Sequence, residues 1–266
     1  MTGIEALVLG VAQGITEWIP ISSEGVLVLL MTRLFGHGGA LYELVQQAVF
    51  LHLGTVCAAV VYYRHTLLDM VKALKGGGDV RTLVQMRFLV IATIVTGIVG
   101  VGLLLAMGSL IDSFSGGFLM VLIGILLLMT GGVQFLAKKK DTGSVKDQVT
   151  TMDALVAGIA QGCAILPGLS RSGLTISALL LRRVQDDYAL SLSFLMSIPA
   201  IIGANIILGS PALVLSWASL IAFFSSFVVG FSTIHLLLGV ARRVSFRWFV
   251  IGFGLLAIIA GLMSYV

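Results

Sequence analysis

Two short polar segments carry the residue types that phosphoryl chemistry needs. One reads QGITEWIPISSEG from Gln13 to Gly25 and holds Glu17, Ser22, Ser23 and Glu24; the other reads PGLSRSGLT from Pro167 to Thr175 and holds Ser170, Arg171 and Ser172. An arginine fork grips phosphate oxygens through paired N–H donors. A serine hydroxyl attacks phosphorus or caps a helix, so Ser23 and Ser22 each have both readings. Gln13 precedes Glu17 by four residues, which puts the two on one helical face. Glu17 and Glu24 beside a phosphate would repel it unless Mg²⁺ or Ca²⁺ bridged them or one were protonated, and this makes both candidate metal ligands. Gln13, Ser22, Ser170 and Ser172, with Gly173 and Thr175, are candidate substrate contacts, because polar side chains converge on the breaks and helices starting there offer free N–H groups and a positive dipole end to an anion.

The surroundings of these segments are apolar. The 266 residues are 58% hydrophobic and 11% charged, with a mean hydropathy of +1.10, whereas soluble domains carry roughly a quarter charged residues. An integral membrane protein is expected. Arg171 is then the one basic residue inside the predicted membrane-buried segments, where an arginine costs ~2.5–3.5 kcal/mol on insertion scales. It needs an anion, either Glu17 or Glu24 as a structural ion pair or a bound phosphate, and the neighbouring serines favour the phosphate. The net charge of +4 reflects short basic loops, so nucleic acid is not an expected partner.

The polar segments are copies. Adding 148 carries Gly10, Ala12, Gln13, Gly14, Ser22 and Gly25 onto Gly158, Ala160, Gln161, Gly162, Ser170 and Gly173. Duplicated, proline-broken segments among apolar helices mark a site at bilayer depth. Spans of ~20 residues, long enough to cross, are predicted at 44–63, 88–108, 117–137, 190–208, 214–240 and 248–265. Segments 4–32 and 153–181 each hold two shorter apolar stretches suited to a re-entrant hairpin. Basic residues cluster at Arg64 to Arg87, Lys138 to Lys146, Arg182 and Arg183, and Arg242 to Arg247, which should be cytoplasmic. That orientation requires the first hairpin to enter from outside and the second from inside.

The expected fold is therefore an all-α, polytopic membrane protein: six transmembrane helices plus two re-entrant helical hairpins in an inverted-topology repeat. It forms one domain, 1–266, with pseudo-repeat halves 1–137 and 150–266, in the cell membrane. The hairpin tips should meet near the midplane around a polar cavity. Residues 66–75 predict a short surface helix with Leu67, Leu68, Val71 and Leu74 on its apolar face. No Lys or Arg precedes Arg33, which argues against a cleaved signal peptide. Cys57 and Cys163 read as small interior residues.

His52, mid-span in AVFLHLGTV, is a candidate catalytic residue, although a lone histidine there is more often a hydrogen-bonded interior group. Gln161, Thr175 and Asn205 could line the cavity or join helices. His235, Tyr62 and Tyr63 read as packing residues.

At these residues the chain resembles the undecaprenyl-diphosphate phosphatase family of the bacitracin-resistance type. The family's (E/Q)-G-x-T-E-x-x-P-x-S-S segment corresponds to Gln13, Gly14, Thr16, Glu17, Pro20, Ser22 and Ser23. Its P-G-x-S-R-S-G-x-T segment corresponds to Pro167, Gly168, Ser170, Arg171, Ser172, Gly173 and Thr175, and Phe50 to Thr55 looks like its second helix. The resemblance implies a divalent-metal-dependent membrane enzyme that removes the terminal phosphate of a polyprenyl diphosphate and recycles the lipid carrier of envelope glycan synthesis. One departure stands out: the family commonly has S-S-(T/S)-G-H, and here Val26 replaces that histidine. Catalysis would then use Ser23 with Glu17, Glu24 or His52 as base, or a metal-bound water, with Arg171 stabilising charge. The expected partners are the polyprenyl diphosphate and the membrane, and a homodimer is allowed for. Two other classes share the same anion grip: a polyprenyl-phosphate flippase and a non-catalytic lipid-binding scaffold.

Overall fold

A computed structural model of the chain describes residues 1–19, 21–38, 41–111, 116–139, 146–166, 168–208, 216–241 and 247–262. Among them every regular element is helical, apart from one backbone pairing between Lys146 and Val184. In order these are α1 (Gly3–Thr16), α2 (Ser23–Leu29, extended by a π-helical turn Leu30–Leu34), α3 (Leu41–Tyr62), α4 (Arg64–Lys72), α5 (Val80–Ile111) and α6 (Gly116–Lys139). They continue with α7 (Thr151–Cys163), α8 (Arg171–Leu181), α9 (Asp186–Leu208), α10 (Trp217–Ala241) and α11 (Arg247–Leu262). Four of the described stretches are long and apolar enough to cross a membrane: Tyr42–Tyr62, Val80–Ala106, Asp186–Leu208 and Trp217–Ile234. They match the predicted spans 44–63, 88–108, 190–208 and 214–240. The predicted span 117–137 falls on α6 and residues 248–262 of the predicted span 248–265 on α11, neither among these four, while 263–265 lie outside the described residues. Leu105 is 78% exposed, Ile206 75% and Ile98 69%, an apolar exterior suited to lipid. The chain is an all-helical membrane protein.

The two segments expected to break do break. α1 and α7 each open with a capping box: Thr2 accepts from the Glu5 N–H while Glu5 accepts from the Thr2 N–H, and Thr150 and Asp153 repeat the exchange. After the breaks, Ser22 and Ser170 cap α2 and α8, each hydroxyl accepting at 3.1 Å from the N–H three residues on, of Gly25 and Gly173. Each helix–break–helix unit returns to where it began. His37 Nε2 lies 3.1 Å from Glu5 Oε2, and Arg182 Nε donates to Asp153 Oδ1 at 2.7 Å.

The first arm of each unit packs on a long helix of the other half of the chain, α1 on α10 and α7 on α5. Small residues permit the approach, as in membrane helix pairs generally. A Cβ on Gly14 would lie 2.7 Å from the Gly230 nitrogen, and one on Gly158 would lie 2.8 Å from the Ala92 carbonyl oxygen. Neither neighbour can yield, because both are backbone. Gly158→Val is therefore expected to lower stability in detergent by about 1–3 kcal/mol, whereas Gly132→Val, with nothing near its Cβ, should leave thermal unfolding almost unchanged.

The surface helix predicted at 66–75 forms, and most of its predicted apolar face points outward. Met70 and Ala73 are buried and Leu67 packs beside them, while Leu68, Val71 and Leu74 remain exposed. The i, i+3 row through residues 67, 70 and 73 lies against the molecule, which leaves the neighbouring apolar row outward. Cys57 and Cys163 are half-buried and unpaired, as small interior residues would be.

Candidate active site

The two breaks meet inside the molecule. Arg171 Nη2 donates to Glu17 Oε1 across 154 residues of sequence, and Ser172 Oγ donates to the Ile19 carbonyl at 3.0 Å. Gly168 makes the second turn possible. Its φ is +102°, and a Cβ there would stand 2.7 Å from the Ile123 carbonyl oxygen of α6.

Glu17, just past the end of α1 and 3% exposed, is the hub. Besides Arg171 it accepts from Gln13 Nε2 at 2.8 Å and from Ser23 Oγ at 3.0 Å, and His52 Nε2 lies 3.3 Å from the same oxygen, Oε2. Gln13 is held in turn by Thr55 of α3 at 3.3 Å. Ser23 is the first residue of α2, so its hydroxyl projects from the turn into the junction, 3.2 Å from His52 Nε2. Arg171 begins α8, and its Nη1 donates to the Ser193 carbonyl of α9 at 3.2 Å. Two of the five guanidinium N–H donors are thus fixed by protein, and the others remain for a ligand.

A cavity of about 280 Å³ opens from this junction. Glu17, Ser23, Glu24, His52 and Arg171 line one end, and α3, α5 and α9 supply walls of Val49, Gly97, Val101, Ala204 and Ile207. Its chemistry is a charged head followed by an apolar corridor, which suits an anion carried on a lipid. Ser22 and Ser172 also reach the cavity, the former with its oxygen engaged as a helix cap. Gln13, Ser170, Gly173 and Thr175 stand behind the wall: Thr175 joins Ser193 at 2.6 Å, and Ser170 caps α8.

Both expected metal ligands, Glu17 and Glu24, line this cavity. Both Glu17 oxygens are engaged, Glu24 Oε1 is the buried carboxylate oxygen without a partner, and no group of three or more His, Cys, Asp or Glu side chains that could hold a metal occurs among the described residues. Mg²⁺ is commonly held by one or two carboxylates, with water and substrate phosphate oxygens completing its shell. Of the expected pair of metal ligands, Glu17 is engaged by Arg171, and Glu24 keeps a buried oxygen without a protein partner on the same cavity.

The family model described as bacitracin resistance protein BacA matches residues 6–259. The chain belongs to the BacA family. Its curated relatives include proteins named undecaprenyl-diphosphatase from Methanococcoides burtonii, 42% identical over 96% of this chain and 97% of the relative, and from Methanothrix thermoacetophila, 39% identical over 97% and 96%. Another, from Haloarcula marismortui, is 37% identical over 97% of each.

In this BacA-family chain Val26, where the resemblance leads one to expect histidine, packs on the apolar cluster of Leu27, Val28 and Met31. Several supporting residues had no distinctive sequence signal. Ser193 is one of three serines on the same apolar stretch, with Ser191 and Ser197, and only the fold brings it to Arg171 and Thr55 to Gln13. Pro199 could have been noticed, because it sits inside the predicted span 190–208. In α9 it removes one helical N–H donor beside the cavity it lines. Gln161, the counterpart of Gln13, donates to Thr96 at 3.2 Å and to the Met196 carbonyl, and Asn205 bridges to the Val49 carbonyl at 3.1 Å. Tyr62 and Tyr63 stack edge to face at 4.9 Å. The side chain of His235, Pro20 and Pro167 lie outside the described residues.

Proposed function

We propose that this protein is a multi-pass enzyme of the cell membrane that hydrolyses a polyprenyl diphosphate of undecaprenyl type to the monophosphate and inorganic phosphate. The observation that carries the reading is the junction of Arg171, Glu17 and Ser23 at the head of an apolar-walled cavity. The relatives' printed name, undecaprenyl-diphosphatase, supports the same substrate. Glu17 and the Ser193 carbonyl anchor Arg171, and its remaining donors grip the terminal phosphoryl group and stabilise its charge as it transfers. Ser23 attacks in line, held by Glu17 and close to His52. The polyprenyl chain lies in the corridor between α3, α5 and α9.

The full architecture follows the same proposal. α3, α5, α6, α9, α10 and α11 cross, and the α1–α2 and α7–α8 units are re-entrant hairpins related by an inverted repeat of halves 1–137 and 150–266. Reciprocal packing of α1 on α10 and α7 on α5 supports it, as do the paired capping boxes. Tyr42 and Gln46 bond the Leu208 carbonyl at the end of the cavity away from the basic residues Arg81 and Arg182, so the positive-inside rule makes the corridor open toward the outer leaflet.

Purified protein in detergent should release phosphate from a C55 diphosphate. Ser23→Ala is expected to lose at least about 10²-fold in kcat with the fold intact, since both neighbours of the hydroxyl are side chains that water can satisfy. A wild-type protein that releases no phosphate from any polyprenyl diphosphate ends the reading.

A further inference from the structure

His52 is poised for a proton-transfer role that no sequence motif assigns to it. Its Nδ1 lies 2.7 Å from the Ala48 carbonyl oxygen, which can only accept, so Nδ1 carries hydrogen and the neutral ring presents its lone pair at Nε2. That lone pair faces Ser23 Oγ at 3.2 Å. A protonated Nε2 would instead face Glu17 Oε2 at 3.3 Å, so each charge state of the ring has a fitting neighbour without any movement. The charged groups around it are Glu17 from the end of α1, Glu24 from α2 and Arg171 from α8, all lining the same cavity. The Ser23 O–H has two acceptors within reach, Glu17 Oε2 at 3.0 Å and His52 Nε2 at 3.2 Å, and rotation about its Cβ–Oγ bond turns it from one to the other; Glu17 also accepts from Arg171 and Gln13. Val26 offers no alternative, being apolar and packed away from the cavity.

We infer that His52 is the general base that activates Ser23 and the general acid that later restores it, from α3 rather than from the serine turn itself. The inference rests on the phosphatase reading. In the first step the Ser23 O–H bond breaks and its proton passes to His52 Nε2. The Oγ–P bond forms at the terminal phosphorus while the bond from that phosphorus to the bridging oxygen breaks, its electron pair leaving with the polyprenyl monophosphate. In the second step water bonds to phosphorus and the Oγ–P bond breaks. The Nε2 proton returns to Ser23, and both water hydrogens depart on dihydrogen phosphate.

The test measures phosphate release from a C55 diphosphate by the purified, full-length protein across pH. His52→Gln is expected to lose about 10²–10⁴-fold in kcat with KM within about threefold, and to abolish the acid limb of kcat/KM that a histidine base is expected to give. His52→Gly should regain at least about tenfold with added imidazole, a readout that also decides the matter if the glutamine variant fails to fold. A glutamine variant within about threefold of wild type, an unchanged acid limb, or a glycine variant indifferent to imidazole overturns the proton role while leaving the phosphatase intact. A silent wild type overturns both.

Discussion

Arg171→Ala is expected to lower phosphate release from a polyprenyl diphosphate by about 10³-fold or more, the scale on which a single arginine acts in phosphoryl transfer. The loss should fall on kcat as well as KM, because the guanidinium meets charge that grows on the transferring group. Arg171→Lys should recover little. A lysine keeps the charge but lacks the planar fork, and it cannot bond Glu17 and the Ser193 carbonyl while still offering paired donors to phosphate. Steady-state kinetics on the folded variants would test this, and an alanine variant within tenfold of wild type would remove Arg171 from the reaction.

Glu17→Ala carries the other large effect, on stability and turnover together. The carboxylate is 2% exposed and its arginine partner 16%, so truncation leaves a cation in the interior with no counter-charge. Breaking a buried pair from one side costs about 3–5 kcal/mol, and this should appear as a large fall in thermal midpoint in detergent. Phosphate release should vanish too, since Glu17 also holds Ser23. Coupling distinguishes this account from a general packing defect. The double variant Glu17→Ala, Arg171→Ala should be more stable than Glu17→Ala alone, because it removes the orphaned charge. A double variant as unstable as the sum of its parts would show that the two side chains do not act as a pair.

The site was legible to the extent that its chemistry is local. Glu17, Ser23 and Arg171 stood out because such residues are expensive in apolar surroundings and must be kept for a partner or a ligand. The breaks at 17–22 and 164–170 could be read from proline, serine and glycine. Two further local signals are present: the pattern Thr-x-x-Glu at Thr2 and its copy Thr-x-x-Asp at Thr150, which start α1 and α7, and the spacing of Gly10 and Gly14, Gly158 and Gly162, which marks where those arms touch other helices as well as the repeat. His52 was harder to judge. Nothing near it in sequence distinguishes a catalytic imidazole from one that merely satisfies the Ala48 carbonyl.

By itself the sequence determined that this chain is helical, that it belongs in a bilayer, and that two polar turns interrupt its apolar helices. Hydrophobic length, capping residues and turn residues act over a few positions, so the order of residues contains them. Only the tertiary structure decided that Arg171 meets Glu17 rather than a distant loop and that His52 on α3 lies beside Ser23 on α2. Those are distances between segments separated by 29 to 154 residues, fixed by how glycine-lined helices pack on one another. No local rule encodes them.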